Sequence, residues 1–159
     1  MTDQLRWDKY FINLALENAK MSKDPATQAG AVIVGPDREV RSMGYNGLPR
    51  GIADSPERLN DKELKRSLIV HAEMNAILHA ARIGVSTRDC TLYLALTDET
   101  GEVWGGPPCL RCTVEIIQAG ITEIVAKPFK NTDSHWTTSV EQARELLLEA
   151  KLAYREVPL

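Results

Sequence analysis

The chain has 159 residues, of which 43% are hydrophobic and 26% charged, a length that buries a core without disulfide staples. Its 19 basic and 22 acidic residues leave a formal charge of −3, a poor match for the basic field that long nucleic acid demands. Nothing in the composition points to collagen, coiled coil or disorder, and the length predicts one domain over residues 1–159. The 3 cysteines, an odd number, argue against a disulfide framework. Residues 1–8 lack the apolar run of a secretory leader, and no later stretch has membrane-spanning length, so a reducing cytoplasm and no membrane partner are expected.

Trp7, Tyr10, Phe11, Leu14, Ala15 and Ala19 recur every three or four positions, which predicts an amphipathic helix over 4–21. Ser22-Lys-Asp-Pro25 ends it, because proline pushes its predecessor out of helical space. Ala31-Val-Ile-Val34 reads as a buried strand, Gly35-Pro-Asp37 as a turn, and 39–43 as the hairpin partner. Residues 44–66 carry Gly44, Gly47, Pro49, Gly51 and Pro56 and then the charged run 61–66, and read as a long connector with a helical turn or two. A helix is predicted over 68–83 with Gly84 as its stop, then a strand over 91–96 and a Gly- and Pro-rich loop over 97–108 that holds Trp104. A further helix spans 109–119, stopped by Gly120, and a strand 121–126. Ser139-Val-Glu-Gln142 has the form of a capping box opening a helix to about residue 150, and 152–157 is a last strand. Strands alternating with helices predict an α/β layer fold whose later strands run parallel.

Two segments carry chemistry. His71-Ala-Glu73 lies near the start of one predicted helix, and Pro107-Pro-Cys109-Leu-Arg-Cys112 at the start of another. Cysteines three apart share a helix face, and a helix N-terminus favours the thiolate that a metal requires. With His71 they form a His/Cys/Cys set that leaves one tetrahedral position open, which distinguishes a catalytic zinc from a structural one. Two thiolates cancel the charge of Zn2+, so water there is activated less than at an all-histidine site and a neighbouring base is needed. Glu73 is the candidate, although on a regular helix it points away from His71 unless the first turn bends. Cys90, His79 and His135 have no partner motif, and a Cys-x-x-Cys alone is shared by redox motifs and structural zinc sites.

His-x-Glu followed by Pro-Cys-x-x-Cys is the zinc-deaminase signature, and the sequence resembles the cytidine/deoxycytidylate deaminase superfamily, its deoxycytidylate branch most of all. The strings that carry the likeness are Ser22-Lys-Asp-Pro-Ala-Thr-Gln28, Gly44-Tyr-Asn-Gly-Leu-Pro-Arg-Gly51, His71-Ala-Glu-Met-Asn-Ala-Ile77 and Ile116-Ile-Gln-Ala-Gly-Ile121. The resemblance implies a three-layer fold with a central mixed sheet of about five strands flanked by helices. It implies that His71, Cys109 and Cys112 bind one catalytic zinc and that Glu73 shuttles protons while water adds to C4 of cytosine, turning dCMP into dUMP and ammonia. It further implies substrate contacts from the Ala72 N–H to the pyrimidine carbonyl, from Asn46 to the sugar hydroxyl, and from Thr27. Relatives are commonly switched on hexamers by dCTP and dTTP, a triphosphate effector being accompanied by Mg2+. By that likeness Gly44, Tyr45, Gly47 and Arg50 lie near an effector site, with Lys23, Arg50 and Arg82 as phosphate contacts.

One departure stands out: where relatives pass almost directly from the 91–96 strand to the Pro-Cys motif, residues 97–106 intervene beside the expected metal. That insertion leaves room for a modified or differently phosphorylated cytosine nucleotide as substrate. Deamination of tRNA or single-stranded DNA, and a non-catalytic zinc-containing nucleotide-binding module, stay open as alternatives at this point.

Overall fold

The computed structural model describes residues 2–130 and 134–158. Thr2 opens the first helix, α1 (Asp3–Ala19), its hydroxyl accepting the Leu5 N–H at 3.2 Å. The helix stops short of residue 21 because the N–H groups of Met21 and Ser22 turn back onto the carbonyls of Asn18 and Ala19.

β1 (Thr27–Val34) and β2 (Val40–Tyr45) form the expected antiparallel hairpin. β3 (Thr91–Asp98) pairs antiparallel with β1 along its whole length, from Thr27 opposite Asp98 to Val34 opposite Thr91. β5 (Glu123–Ala126) and β6 (Ala153–Glu156) then add in parallel, giving the order β2-β1-β3-β5-β6. Successive strand residues face opposite sides. Val32, Val34, Tyr93, Ala95 and Val125 pack with Phe11, Ile12 and Ala15 of α1. Ala31, Ile33, Leu92, Leu94, Ile124 and Ala126 pack on the other face with Ala76, Ile116 and Leu147. Those three come from α4 (Ala72–Ile83), α5 (Leu110–Gln118) and α6 (Ser134–Glu149). The result is the three-layer α/β arrangement with a mixed sheet that the sequence predicts. At Gly44 the backbone of β2 runs so close to the first turns of α4 that a Cβ would overlap the Ala72 carbonyl and the Ala76 amide.

One buried polar knot ties four elements together. Asp8 of α1, 2% exposed, accepts hydrogen bonds from Gln4, from the Tyr93 hydroxyl of β3 at 3.0 Å and from Arg155 of β6 at 2.9 and 3.2 Å. Arg155 also donates to Glu123 of β5 at 2.6 Å.

The structure departs from the sequence expectations in three places that bear on the site. The helix expected over 68–83 starts four residues late, as α4 (Ala72–Ile83). After the short α2 (Pro56–Asn60), α3 (Lys62–Leu68) ends, and residues 69–71 are extended, with Val70 exchanging both backbone hydrogen bonds with Gly47 before α4 begins. The loop expected over 97–108 is instead a hairpin: β3 runs on to Asp98, and β4 (Val103–Trp104) returns antiparallel to it, Leu96 opposite Trp104. The Asp98 carboxylate holds the turn, accepting from the Thr100 N–H, the Thr100 hydroxyl and the Glu102 N–H. A two-residue return strand carries too little alternation to be read from sequence. Finally, α6 begins at Ser134 rather than at the Ser139 box, and the Ser139 hydroxyl accepts the Leu110 N–H of α5 at 2.9 Å. It satisfies an amide at the start of a neighbouring helix, not of its own.

Candidate functional site

His71 and Cys109 occupy the same structural position on different helices. Each is an N-cap residue with extended backbone, His71 at φ −67°, ψ 157° before α4 and Cys109 at φ −61°, ψ 160° before α5. Cys109 does not share a face of α5 with Cys112; it stands outside the helix, its sulfur accepting the Cys112 N–H at 3.5 Å as a capping oxygen would. In the same way His71 leaves the chain before the helix starts, while Glu73 sits inside the first turn of α4, so the two can approach one place from different directions. Gly106, at φ +124°, lies against the Phe129 ring where any side chain would collide, and fixes the approach of Pro107-Pro108 to Cys109.

The His71 Nδ1 atom is 3.5 Å from the Cys109 Sγ and 3.4 Å from the Cys112 Sγ, and the three donor atoms lie within 4.8 Å of one another. A tetrahedral zinc with Zn–S near 2.3 Å and Zn–N near 2.0 Å sets N···S at about 3.5 Å, so the spacing and the donor set both fit one shared zinc ion. Among the described residues no further His, Cys, Asp or Glu joins this group. The trio's own electrostatics favours metal. A hydrogen bond from Cys112, helped by His71, draws the Cys109 thiol down to about 4 against the upward push of burial. Cys112 is driven up by Cys109 and by burial, and His71 is pushed up to about 9 by its contact with the Cys109 sulfur. A divalent cation replaces the protons that these groups otherwise share.

Above the trio opens a cavity of about 420 Å³, within the range of small-ligand sites. Glu73 lines it and is only 6% exposed; burial pushes its carboxyl up, with His71 opposing. Ala72 lines it too, and as the first residue of α4 it carries an N–H that the helix itself leaves without a partner. Thr27 and Asn46 form part of the wall. Asn46 is not in left-handed backbone; its Oδ1 accepts the Ala29 N–H at 2.7 Å and its Nδ2 donates to the Thr27 carbonyl at 2.8 Å, leaving one Nδ2 hydrogen spare. Trp104 of the hairpin also faces the cavity, tilted against Phe129 with ring centroids 6.4 Å apart.

Other residues singled out from the sequence divide between a second place and none. Lys23, Tyr45, Gly47 and Arg50 line a smaller recess of about 170 Å³, where Lys23 pairs with Asp54 at 2.7 Å. Gly44 and Arg82 line neither recess: Gly44 is buried between β2 and α4, and Arg82 is exposed in the last turn of α4. Sequence reasoning missed Asp24, Lys62, Lys65 and Arg66, all of which line the main cavity. Lys62, Lys65 and Arg66 stand at the three- and four-residue spacing of one helix face, a signal present in the charged run. Asp24 gave no such signal.

The family model for the cytidine and deoxycytidylate deaminase zinc-binding region matches residues 5–127. The deoxycytidylate deaminase of Mus musculus is 36% identical over 159 residues, covering 97% of this chain and 81% of the mouse protein. That of Homo sapiens is 35% identical with the same coverage. In fold, the chain is similar to the dCMP deaminase of the cyanophage S-TIM5, solved in complex with dCMP and dUMP, with a TM-score of 0.70, 16% identity and 99% of each chain covered.

Proposed function

The chain belongs to the cytidine and deoxycytidylate deaminase family, and on that premise we propose that it is a zinc-dependent hydrolase converting dCMP into dUMP and ammonia. The observation that carries this reading is the His71, Cys109 and Cys112 triangle at zinc spacing, with the buried Glu73 lining the same cavity. His71 through Nδ1 and the two cysteines through sulfur hold the ion. When bound, zinc supplies Lewis acidity that lowers the pKa of water. Glu73 takes one proton from the water that adds to C4 and passes it to N3 of the cytosine, then takes the second proton from the hydroxyl now on C4 and passes it to the amine as the C–N bond breaks; a carboxyl raised by burial is suited to holding each proton between transfers. The Ala72 N–H donates to the pyrimidine carbonyl, the spare Nδ2 hydrogen of Asn46 reaches the sugar hydroxyl, and Thr27 borders the sugar.

The test is ammonia release by zinc-loaded protein from dCMP, cytidine, deoxycytidine and dCTP, with dCMP preferred. Glu73→Gln retains one zinc per chain and loses about 10²–10⁴ in kcat. Retention of full turnover by that variant sinks the assignment.

The smaller recess favours a second, regulatory reading. Lys23, Tyr45, Gly47 and Arg50 line it together with Asp54, the partner of Lys23, so Arg50 and the backbone there would meet the phosphates of dCTP or dTTP with accompanying Mg2+, in a hexamer of this chain. A shift in the dCMP saturation curve on adding either triphosphate, lost on Arg50→Ala, tests it.

A further inference from the structure

We propose that Lys62 and Arg66 of α3 form a clamp for the substrate's 5′-phosphate and select a nucleoside monophosphate over both the bare nucleoside and the triphosphate. The proposal rests on the deaminase reading above and adds to it the group that reads the phosphate.

The two residues are four apart on one helix and therefore neighbours on one face, and both line the main cavity. Like charges at that spacing disfavour a helix, and α3 has only 7 residues to resist them. Among the described residues neither cation takes part in an ion pair, and two of the nearby acids are already engaged. Asp24, 7% exposed, accepts Lys65 at 2.9 Å and the Ala26 N–H at 2.9 Å. Asp61 caps α3 by accepting the Leu64 N–H at 3.0 Å. Glu63 is exposed and does not line the cavity. The Asp24–Lys65 pair, with the lysine side chain only 14% exposed, anchors α3 beside the start of β1, where Thr27 borders the cavity.

The charge balance then selects the ligand. Asp24 and Lys65 pair with each other and Glu73 is buried beside His71, so the exposed charges lining the cavity are the two positive ones of Lys62 and Arg66. A phosphate monoester carries about −1.5 to −2 at neutral pH and matches them. A nucleoside leaves the two cations facing each other with nothing between, and a triphosphate brings more negative charge than the mouth holds. Arg66 can engage two phosphate oxygens with its planar fork while Lys62 contributes a point charge. Both side chains are exposed, so each contributes about a tenfold effect rather than a larger one.

The experiment compares zinc-loaded wild type with Lys62→Ala, Arg66→Ala and the double variant, and reads two things: dCMP and deoxycytidine kinetics, and equilibrium binding of dUMP and deoxyuridine. The expected result is a KM for dCMP raised about tenfold in each single variant and about 100-fold in the double. The dCMP-to-deoxycytidine specificity ratio falls in step, and the gap between dUMP and deoxyuridine affinity closes. Zinc content and Tm, measured on the same samples, report any loss of folding. Equal binding of dUMP and deoxyuridine by wild type overturns the clamp, as does a double variant that weakens both substrates alike. A gap that survives the double variant but closes in Lys65→Met also overturns it, in favour of Lys65. Failure of the deaminase reading shows separately, as no ammonia from any cytosine compound, and the dUMP comparison still decides the clamp.

Discussion

Asn46→Ala separates the scaffolding role of this side chain from its role toward substrate. The variant deletes the Oδ1 that accepts the Ala29 N–H at 2.7 Å and the Nδ2 that donates to the Thr27 carbonyl at 2.8 Å. Ala29 is buried, so its amide is left without a partner, at a cost of about 1–3 kcal/mol. Thr27 is only half-buried, and its carbonyl regains water, which adds less than about 1 kcal/mol. The backbone hydrogen bond from the Asn46 N–H to the Ala29 carbonyl survives. A total of about 2–3 kcal/mol lowers the Tm by about 5–10 °C in a domain of this size. Urea denaturation is the assay, because activity falls for either role. Asn46→Asp keeps the acceptor for Ala29 but sets a carboxylate oxygen against the Thr27 carbonyl, and is expected to lose at least as much stability. An unchanged urea midpoint in both variants refutes the reasoning: the side chain would then be serving ligand alone.

Two other expectations concern the surroundings of the site. Asp8→Asn lowers stability at neutral pH by about 1.5–3 kcal/mol through the lost charge-assisted bonds to Arg155. Burial pushes the Asp8 carboxyl up, but bonds from Arg155, Gln4 and Tyr93 outweigh it and hold it below the ordinary carboxylate range. A depressed carboxyl stabilises above its unfolded value and ceases to do so as pH falls through its folded one. The gap between wild type and variant in urea midpoint is therefore constant above about pH 5 and narrows below about pH 4; a gap that widens in acid contradicts the assignment. Ser139→Ala removes the acceptor for the Leu110 N–H next to Cys109, and is expected to weaken zinc affinity about tenfold in a chelator competition. Unaltered affinity shows that α5 starts in the same place without its borrowed cap.

Much of the molecule was legible because its signals are local. Short apolar runs such as Ala31–Val34 and Thr91–Leu96 name strands, and Pro-Cys-x-x-Cys with His-x-Glu names the candidate metal ligands. The geometry behind those ligands was not legible. Residue spacing suggested that the cysteines share a helix face, whereas Cys109 and His71 precede their helices in extended backbone, a state that leaves no periodic trace. The start of α6 is not legible because the Ser139 hydroxyl can cap its own helix or a neighbour, and only the packed structure selects the Leu110 amide. Asp24 looked like part of a helix-ending turn; its pairing with Lys65, 41 residues away, is fixed by tertiary approach alone. The hairpin at 97–106 failed for the opposite reason, since its return strand is too short to show alternation.

The placement of His71 and Cys109 at the beginnings of helices packed on the sheet has a consequence for how such a protein can diversify. The His71, Cys109 and Cys112 triangle is held by two helices packed on one face of the sheet, and a shift of α4 against α5 would pull it apart. β4 with its turn, and α3, lie at the edge of that frame, held by the Glu102–Lys130 and Asp24–Lys65 pairs and by the Gly105 N–H to the Pro128 carbonyl. Lineages can therefore rewrite which molecule is admitted by altering peripheral segments, while the chemical step is inherited intact.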